Sequence, residues 1–113
     1  MHELALMQGI ISIVDSEAKK QGFQICSQIN IKMGEYSGVI PECLRECFPL
    51  AAKGSPAEKA VLNIETVKAE FQCPSCSYRG PLPKGTACCP KCGGSAIKMI
   101  AGREFYVESL KVE

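Results

Sequence analysis

The chain has 113 residues, with 13 basic and 12 acidic side chains, a formal net charge of +1 and 46% hydrophobic residues. A chain of 12.2 kDa buries about two-thirds of its unfolded surface, which is enough for one modest hydrophobic core. Nucleic-acid binding needs a positive surface and often stacking rings, so the near-neutral charge and the lack of Trp predict no nucleic-acid partner.

The start of the sequence lacks the features of a secretory leader. Met1-His2-Glu3 has no basic segment, and the apolar run from Leu4 to Val14 is interrupted by Gln8 and Gly9. That run is also too short to span a bilayer. In a reducing compartment the eight cysteines stay available for metal instead of forming disulfides. We therefore expect a cytoplasmic protein without a membrane partner.

The first twenty residues carry apolar side chains at steps of three and four. This periodicity predicts an amphipathic helix. Lys19 and Lys20 suit its C-terminal end, and Gly22 suits the position just after it. The apolar residues of this stripe are Leu4, Met7, Ile10, Ile11, Val14 and Ala18.

An alternating segment follows and predicts a half-buried strand. Cys26 falls on its polar phase, so we expect this thiol to be partly exposed and assign it no role. The apolar phase consists of Phe23, Ile25, Ile29, Ile31 and Met33.

A turn over residues 34–38 leads to a second predicted helix. Pro41 fits the first helical position, and Glu42 places a negative charge in the first turn. Pro49 is expected to weaken or kink this helix one turn before its end. The predicted inner face consists of Leu44, Cys47, Phe48 and Ala51.

The next strand changes phase between Ile64 and Val67, which predicts a bend where the chain leaves the core. The chain returns near Ile97, turns at Gly102 and ends in a strand from about Phe105 to Val112. We therefore predict an α+β fold with two helices on a sheet of at least three strands. The core comprises residues 1–70 and 96–113, and an inserted four-cysteine, zinc-ribbon-like domain comprises residues 71–95.

The inserted segment contains two Cys-x-x-Cys pairs separated by a twelve-residue spacer. Such spacing is typical of a four-thiolate zinc site. Two disulfides, a thioredoxin-type dithiol and a rubredoxin-like iron site are the alternatives. Zinc is favoured because a closed four-thiolate site is its usual structural arrangement, and a closed site offers no position for substrate. The four predicted ligands are Cys73, Cys76, Cys89 and Cys92.

Other cysteines leave further alternatives open. Cys88 could replace its neighbour Cys89, but the matching Cys-Pro-x-Cys pattern favours Cys89. Cys43 and Cys47 lie one predicted helical turn apart and could share a soft metal ion. Packing is the favoured interpretation for this pair, because free cysteines are among the most commonly buried residues.

His2 is the only histidine. A lone histidine is often a surface or packing residue, but position 2 allows a chelate. The α-amine of Met1, the amide and imidazole nitrogens of His2 and the amide of Glu3 make a planar nitrogen set. Such a set suits Ni(II) or Cu(II) more than zinc. The carboxylate of Glu3 could add a ligand or stabilise the start of the helix.

Together these segments resemble one known family over nearly the whole chain. The resemblance lies in Met1-His2-Glu3 before a helix, in the sequence KMGEYSGVIPE at 32–42, in the two cysteine pairs, and in GREFYVESL at 102–110. The chain is similar to the HypA/HybF hydrogenase nickel-incorporation family.

The resemblance implies a nickel metallochaperone, with Ni(II) as transferred cargo and Zn(II) as a structural ion. It implies nickel ligation by Met1, His2 and Glu3 and zinc ligation by the four paired cysteines. Expected partners are a HypB-type GTPase, the large subunit of [NiFe]-hydrogenase and, in some members, urease maturation proteins. Some relatives add a histidine ligand near the zinc domain, but this chain has no second histidine.

Two other classes of function stay open at the level of sequence. One is a zinc-ribbon module that binds protein or nucleic acid, and the other is a rubredoxin-like electron carrier. An enzyme is not expected. We find no pairing of nucleophile and base, no glycine-rich phosphate loop and no carboxylate pair placed for acid–base chemistry.

Overall fold

The computed structural model describes residues 3–83 and 85–113 and contains two helices and two small sheets. In chain order the elements are α1 (Glu3–Gln21), β1 (Cys26–Gly34), α2 (Pro41–Ala52), β2 (Val61–Val67), β3 (Glu70–Gln72), β4 (Arg79–Gly80), β5 (Lys98–Ala101) and β6 (Phe105–Val112). The strand orders are β2-β1-β6 and β4-β3-β5. The predicted α+β fold is confirmed.

The first sheet is built around β1. Strand β1 runs parallel to β2, and α2 connects these two strands. It runs antiparallel to β6, so Ile29 lies between Leu62 on one side and Leu110 on the other. Apolar side chains from both helices and from β1 and β2 form one core on a single face of this sheet. Its buried members include Met7, Ile10, Ile11, Val14, Ile29, Ile31, Met33, Leu44, Phe48 and Leu62.

The opposite face of the first sheet is polar. The Lys32 ammonium lies 2.6 Å from a Glu65 carboxylate oxygen and 3.4 Å from one of Glu108. The amide of Asn30 donates to the hydroxyl of Ser109 at 2.9 Å. This face therefore carries the polar half of the alternation that predicted the strand.

Two local predictions at the first helix and strand have different outcomes. The first helix ends as predicted, because Gly22 has a φ of 78° and its N–H donates to the Ala18 carbonyl at 2.8 Å. The expected exposure of Cys26 is wrong, since this residue is 1% exposed while Ile25 is 52% exposed. An irregularity in the pairing between Cys26 and Gln28 shifts the alternation by one residue.

Pro49 does not shorten the second helix, which continues to Ala52. A proline inside a helix removes the hydrogen bond to the carbonyl four residues earlier, here that of Arg45. Both residues are exposed, so water can satisfy that carbonyl. Leu44, Phe48 and Ala52 are buried, while Cys47 and Ala51 are only partly buried against the core.

The chain passes from the first sheet to the second through a tight junction. Strand β2 ends at Val67 and β3 begins at Glu70, so the chain bends after Val67. The predicted bend between Ile64 and Val67 is wrong, because β2 pairs with β1 in unbroken register through these residues. The N–H of Tyr36 donates to the Gly102 carbonyl at 2.6 Å, and the N–H of Ala69 donates to a Glu35 carboxylate oxygen at 2.8 Å. The turn after β1 therefore holds both connecting segments.

The molecule is elongated, with principal dimensions of 54 × 26 × 17 Å. Strand β5 pairs with β3 in the second sheet, opposite Glu70 to Gln72. The division into a core and an inserted domain of residues 71–95 stays a prediction. Neither helix of the described chain combines the length and apolar character that crossing a bilayer requires.

Candidate metal centre

The first cysteine pair occupies a tight turn that closes by two backbone hydrogen bonds. The N–H of Cys73 donates to the carbonyl of Tyr78 at 2.9 Å, and the N–H of Ser77 donates back to the carbonyl of Cys73 at 3.0 Å. Pro74 restricts φ just after the leading cysteine. The turn therefore directs the sulfurs of Cys73 and Cys76 towards one point.

The second pair repeats this pattern. The N–H of Cys89 donates to the Gly94 carbonyl, and the N–H of Gly93 donates to the Cys89 carbonyl, both at 2.8 Å. Gly93 has a φ of 74°, and Ser77, at the equivalent place in the first turn, has a φ of 64°. Glycine adopts this conformation readily, which made Gly93 predictable from the sequence. Ser77 was missed, although its position four residues after Cys73 matches that of Gly93.

The two turns bring four sulfur atoms together. All four Sγ atoms lie within 4.8 Å of one another. The Cys73 and Cys92 sulfurs are 3.6 Å apart, and those of Cys76 and Cys89 are 3.5 Å apart. A tetrahedral ion with bonds of about 2.3 Å needs sulfurs about 3.8 Å apart, whereas a disulfide bond is about 2.05 Å long. The cluster therefore fits a zinc ion.

Hydrogen bonding makes the thiols of Cys89 and Cys76 unequal as acids. Burial raises the pKa of Cys89, but the backbone N–H groups of Cys92 and Lys91 and neighbouring thiols outweigh it and lower the pKa to about 6. The backbone of Tyr78 lowers the pKa of Cys76, but burial and the other three thiols outweigh it and raise the pKa to about 12. Thiolate charge is therefore concentrated on sulfurs such as that of Cys89. A bound cation replaces the proton on thiols such as that of Cys76.

Few side chains around the cluster are buried. Within the described part of 73–97, Cys73 and Cys89 are the buried residues. Cys76 is half-buried and Cys92 is exposed. Cys88 is exposed and lies outside the group of four sulfurs. An ion held by four thiolates has no open coordination position, so this centre can organise the chain but offers no place for substrate chemistry.

The predicted nickel ligands are only partly visible. Met1 and His2 lie outside the described residues. Glu3 is the first residue of α1 and is half-buried. One oxygen of its carboxylate accepts a hydrogen bond from the N–H of Ile40, just before α2, at 3.4 Å. Glu3 therefore connects the start of α1 with the start of α2.

Comparison with known proteins decides the family. The family model for HypA, described as hydrogenase/urease nickel incorporation and metallochaperone, matches residues 1–112. The chain belongs to the HypA family. A protein of Methylocella silvestris named hydrogenase maturation factor HypA is 38% identical over 113 residues, covering 100% of both chains. Its namesake in Chlorobium limicola is 36% identical over 113 residues, covering 100% of this chain and 97% of its own.

Solved structures of HypA proteins share the fold. The solution structure of the nickel metallochaperone HypA from Helicobacter pylori has a TM-score of 0.72 at 24% identity, covering 99% of this chain and 97% of its own. A second HypA solution structure has a TM-score of 0.77 at 24% identity, covering 100% and 97%. The fold of these two structures thus extends over nearly the whole chain.

Proposed function

We propose that this HypA protein is a nickel metallochaperone of hydrogenase maturation that binds Ni(II) at Met1, His2 and Glu3 and passes the ion on. The observation that carries the proposal is the match of the HypA family to residues 1–112, which includes the start of the chain. Relatives that align over the full length are named hydrogenase maturation factors. A carrier role of this kind requires no catalytic residues.

The proposed nickel site combines nitrogen donors with a terminal position in the chain. The α-amine of Met1 and the amide and imidazole nitrogens of His2 are the planar donors that Ni(II) prefers. Glu3 adds a carboxylate at the start of α1, near the N–H of Ile40. A site at a chain terminus is accessible to an incoming ligand, so the ion can leave by ligand exchange.

The four paired cysteines hold Zn(II) in this proposal, and their ion has a structural role. Their sulfurs lie within 4.8 Å of one another and match tetrahedral thiolate ligation. We assign residues 71–95 to the zinc domain and residues 1–70 and 96–113 to the nickel-binding core. Zinc ligation fixes the lobe, which then offers a rigid surface beside the core.

The proposed partners follow from the family. A HypB-type GTPase assists the transfer, the large subunit of [NiFe]-hydrogenase receives the ion, and urease maturation proteins are further candidates. The description of the family names hydrogenase and urease nickel incorporation. We place these steps in the cytoplasm, where cysteines stay reduced and available for metal.

Nickel titration by calorimetry tests the proposed site. Tag-free protein that begins at Met1 is compared with the His2→Ala variant, and Cys88→Ser serves as the matched control at an exposed residue outside both predicted sites. We expect one tightly bound equivalent of Ni(II) in the parent and in the control, and loss of that tight equivalent in His2→Ala. Equal binding by all three proteins would show that His2 is not a nickel ligand and that the ion binds elsewhere.

The pH dependence of nickel binding is a second test. The reference pKa values are about 6.5 for imidazole and about 7.7–8.0 for an α-amine, and both groups must be deprotonated to bind metal. Affinity should therefore fall as the pH is lowered from 8 to 5.5. Unchanged affinity over that range would exclude the amine and imidazole as ligands.

A further inference from the structure

Two cysteines of α2 lie outside both proposed metal sites. Cys43 and Cys47 are four residues apart, so their side chains lie on one face of the helix with Cβ atoms about 5–6 Å apart. Both are half-buried free thiols, and neither belongs to the fully buried core. The packing role that the sequence favoured therefore holds only in part, because Cys47 contacts the core at its edge.

Their spacing suits a bridging metal ion better than a disulfide. A disulfide requires Cβ atoms about 3.8 Å apart, which a regular helix does not allow between residues four apart. An ion with metal–sulfur bonds of about 2.3 Å holds two sulfurs about 3.8 Å apart. Rotation of the two side chains about χ1 can bring the sulfurs to that distance while the helix stays intact.

Glu3 brings a carboxylate to this pair from the other helix. It is held near the start of α2 by the N–H of Ile40. Burial raises the pKa of the Cys43 thiol, and the negative charges of Glu3 and then Glu46 raise it further. The carbonyl of Ile40 also accepts a hydrogen bond from the N–H of Cys43 at 3.1 Å, so Ile40 joins the carboxylate of Glu3 to the first turn of α2, where Cys43 lies. A bound cation would offset the negative charges of Glu3 and Glu46.

We propose that Cys43 and Cys47, together with the carboxylate of Glu3, form a second binding site for a divalent transition metal such as Ni(II). Each thiol releases its proton to solvent, and a sulfur lone pair forms the new bond to the metal, so no oxidant or reductant is involved. The choice of Ni(II) as the ion rests on the proposed function. The site itself rests on the two thiols and on Glu3.

This site is not preassembled. Among the described residues, the four paired cysteines of the lobe are the group whose donor atoms already lie within 4.8 Å of one another. Binding at Cys43 and Cys47 requires their side chains to turn first, which weakens the affinity and favours release. A weak site that shares Glu3 with the proposed nickel terminus suits a temporary position for the ion during transfer.

Absorption spectroscopy of zinc-loaded protein tests the inference. Ni(II) is added in a buffer with a reductant that does not bind metal, and thiolate-to-nickel charge transfer is followed in the near ultraviolet. We expect a band in the parent, in Cys88→Ser and in His2→Ala, and loss of the band in Cys43→Ser and in Cys47→Ser. Circular dichroism establishes that each variant is folded, and zinc content is measured before and after titration.

Alkylation of the unsubstituted protein is a second measurement that does not depend on the folding of a variant. Bound Ni(II) should slow the modification of Cys43 and Cys47, read by mass spectrometry, and leave the rate at exposed Cys88 unchanged. Equal rates with and without nickel would overturn the proposed thiol site.

The two proposals fail in different ways. Nickel binding that depends on His2 without any thiolate band leaves the chaperone proposal standing and overturns the second site. A band that survives His2→Ala but is lost in the Cys43 and Cys47 variants supports the second site by itself. A band that persists in both serine variants places the thiolate ligand elsewhere and overturns the inference.

Discussion

The core and the cysteine lobe of this HypA protein are stable for different reasons. In the core, apolar side chains of both helices and of the first sheet remove one another from water. In the lobe, the described residues from 71 to 95 include three buried side chains, Phe71, Cys73 and Cys89, and the two cysteines belong to the four-sulfur cluster. The same chain therefore uses hydrophobic burial in one region and proposed metal ligation in the other.

The two means of stabilisation differ in how they are distributed. Structural zinc supplies an apparent free energy of about 10–16 kcal/mol in small metal domains, and four atoms carry all of it. In a hydrophobic core many residues share the stabilisation, and truncating one large side chain lowers the free energy of unfolding by about 2–5 kcal/mol. A single substitution should therefore have a larger effect in the lobe than in the core.

The largest expected effect is that of Cys73→Ser. Removing one of four thiolates should abolish tight zinc binding and unfold the lobe, while the core stays folded because its apolar contacts are independent of the metal. Nuclear magnetic resonance would show lobe amides losing dispersion while those of α1 and β1 keep theirs. Cys88→Ser is the control and should retain one zinc ion. Cooperative loss of both regions would show that the core needs the lobe.

A substitution in the core should have the opposite pattern. Leu44 is fully buried against the core, so Leu44→Ala should lower the free energy of unfolding of the core by about 2–5 kcal/mol. Denaturant unfolding followed by circular dichroism measures this change, and zinc content should stay at one equivalent. Leu50 on the same helix is 70% exposed, so Leu50→Ala should change stability by less than about 0.5 kcal/mol. A similar loss in both variants would contradict the assigned core.

The junction between the two regions should respond to Gly34→Ala. A Cβ at Gly34 would meet the backbone carbonyl of Gly102, which only a shift of the chain can relieve. We expect a loss of about 1–3 kcal/mol in unfolding free energy, as for other overpacked sites. Altered amide chemical shifts should centre on the ends of β1 and β5.

Gly9→Ala is the matched control for the junction. Gly9 lies within α1 with open space where its Cβ would be. Alanine should stabilise that helix by about 0.8–1 kcal/mol, because glycine is the poorer helix former. Changes of opposite sign in the unfolding free energy of the two variants would support the close approach of Gly34 to Gly102, and changes of the same sign would argue against it.

The smallest effect should be a pH-dependent one at Glu104. Hydrogen bonds from its own backbone N–H and then from that of Gly102 lower the pKa of this carboxyl group. A lowered folded-state pKa gives stability that is present above the unfolded value of about 4.3 and is lost as the pH falls through the folded value.

Thermal unfolding of the parent and of Glu104→Gln at several pH values measures the stability that the ionised Glu104 carboxylate contributes. The two proteins should differ at pH 7 and converge in acid, whereas Glu58→Gln, at an exposed carboxylate in the loop before β2, serves as a control. A difference between parent and Glu104→Gln that is constant from pH 7 to pH 3 would assign the effect to packing.

Local patterns in the sequence predicted the main elements. The end of the first helix before Gly22 and the final strand from Phe105 match the structure, whereas the bend falls after Val67 and not between Ile64 and Val67. Such predictions succeed because the order of apolar and polar residues within one element determines which of its side chains are buried. The cysteine spacing likewise predicted a four-sulfur cluster, because each pair is positioned by its own short turn.

Only the tertiary structure decided which residues from distant segments meet. The burial of Cys26 depends on an irregularity in its pairing with β6, and the length of α2 depends on Pro49 being exposed. The hydrogen bond between the carboxylate of Glu3 and the N–H of Ile40 depends on how the two helices pack together. Periodicity along the chain reports the faces of an element, but it does not report which partner lies against each face. That choice belongs to packing between segments far apart in sequence.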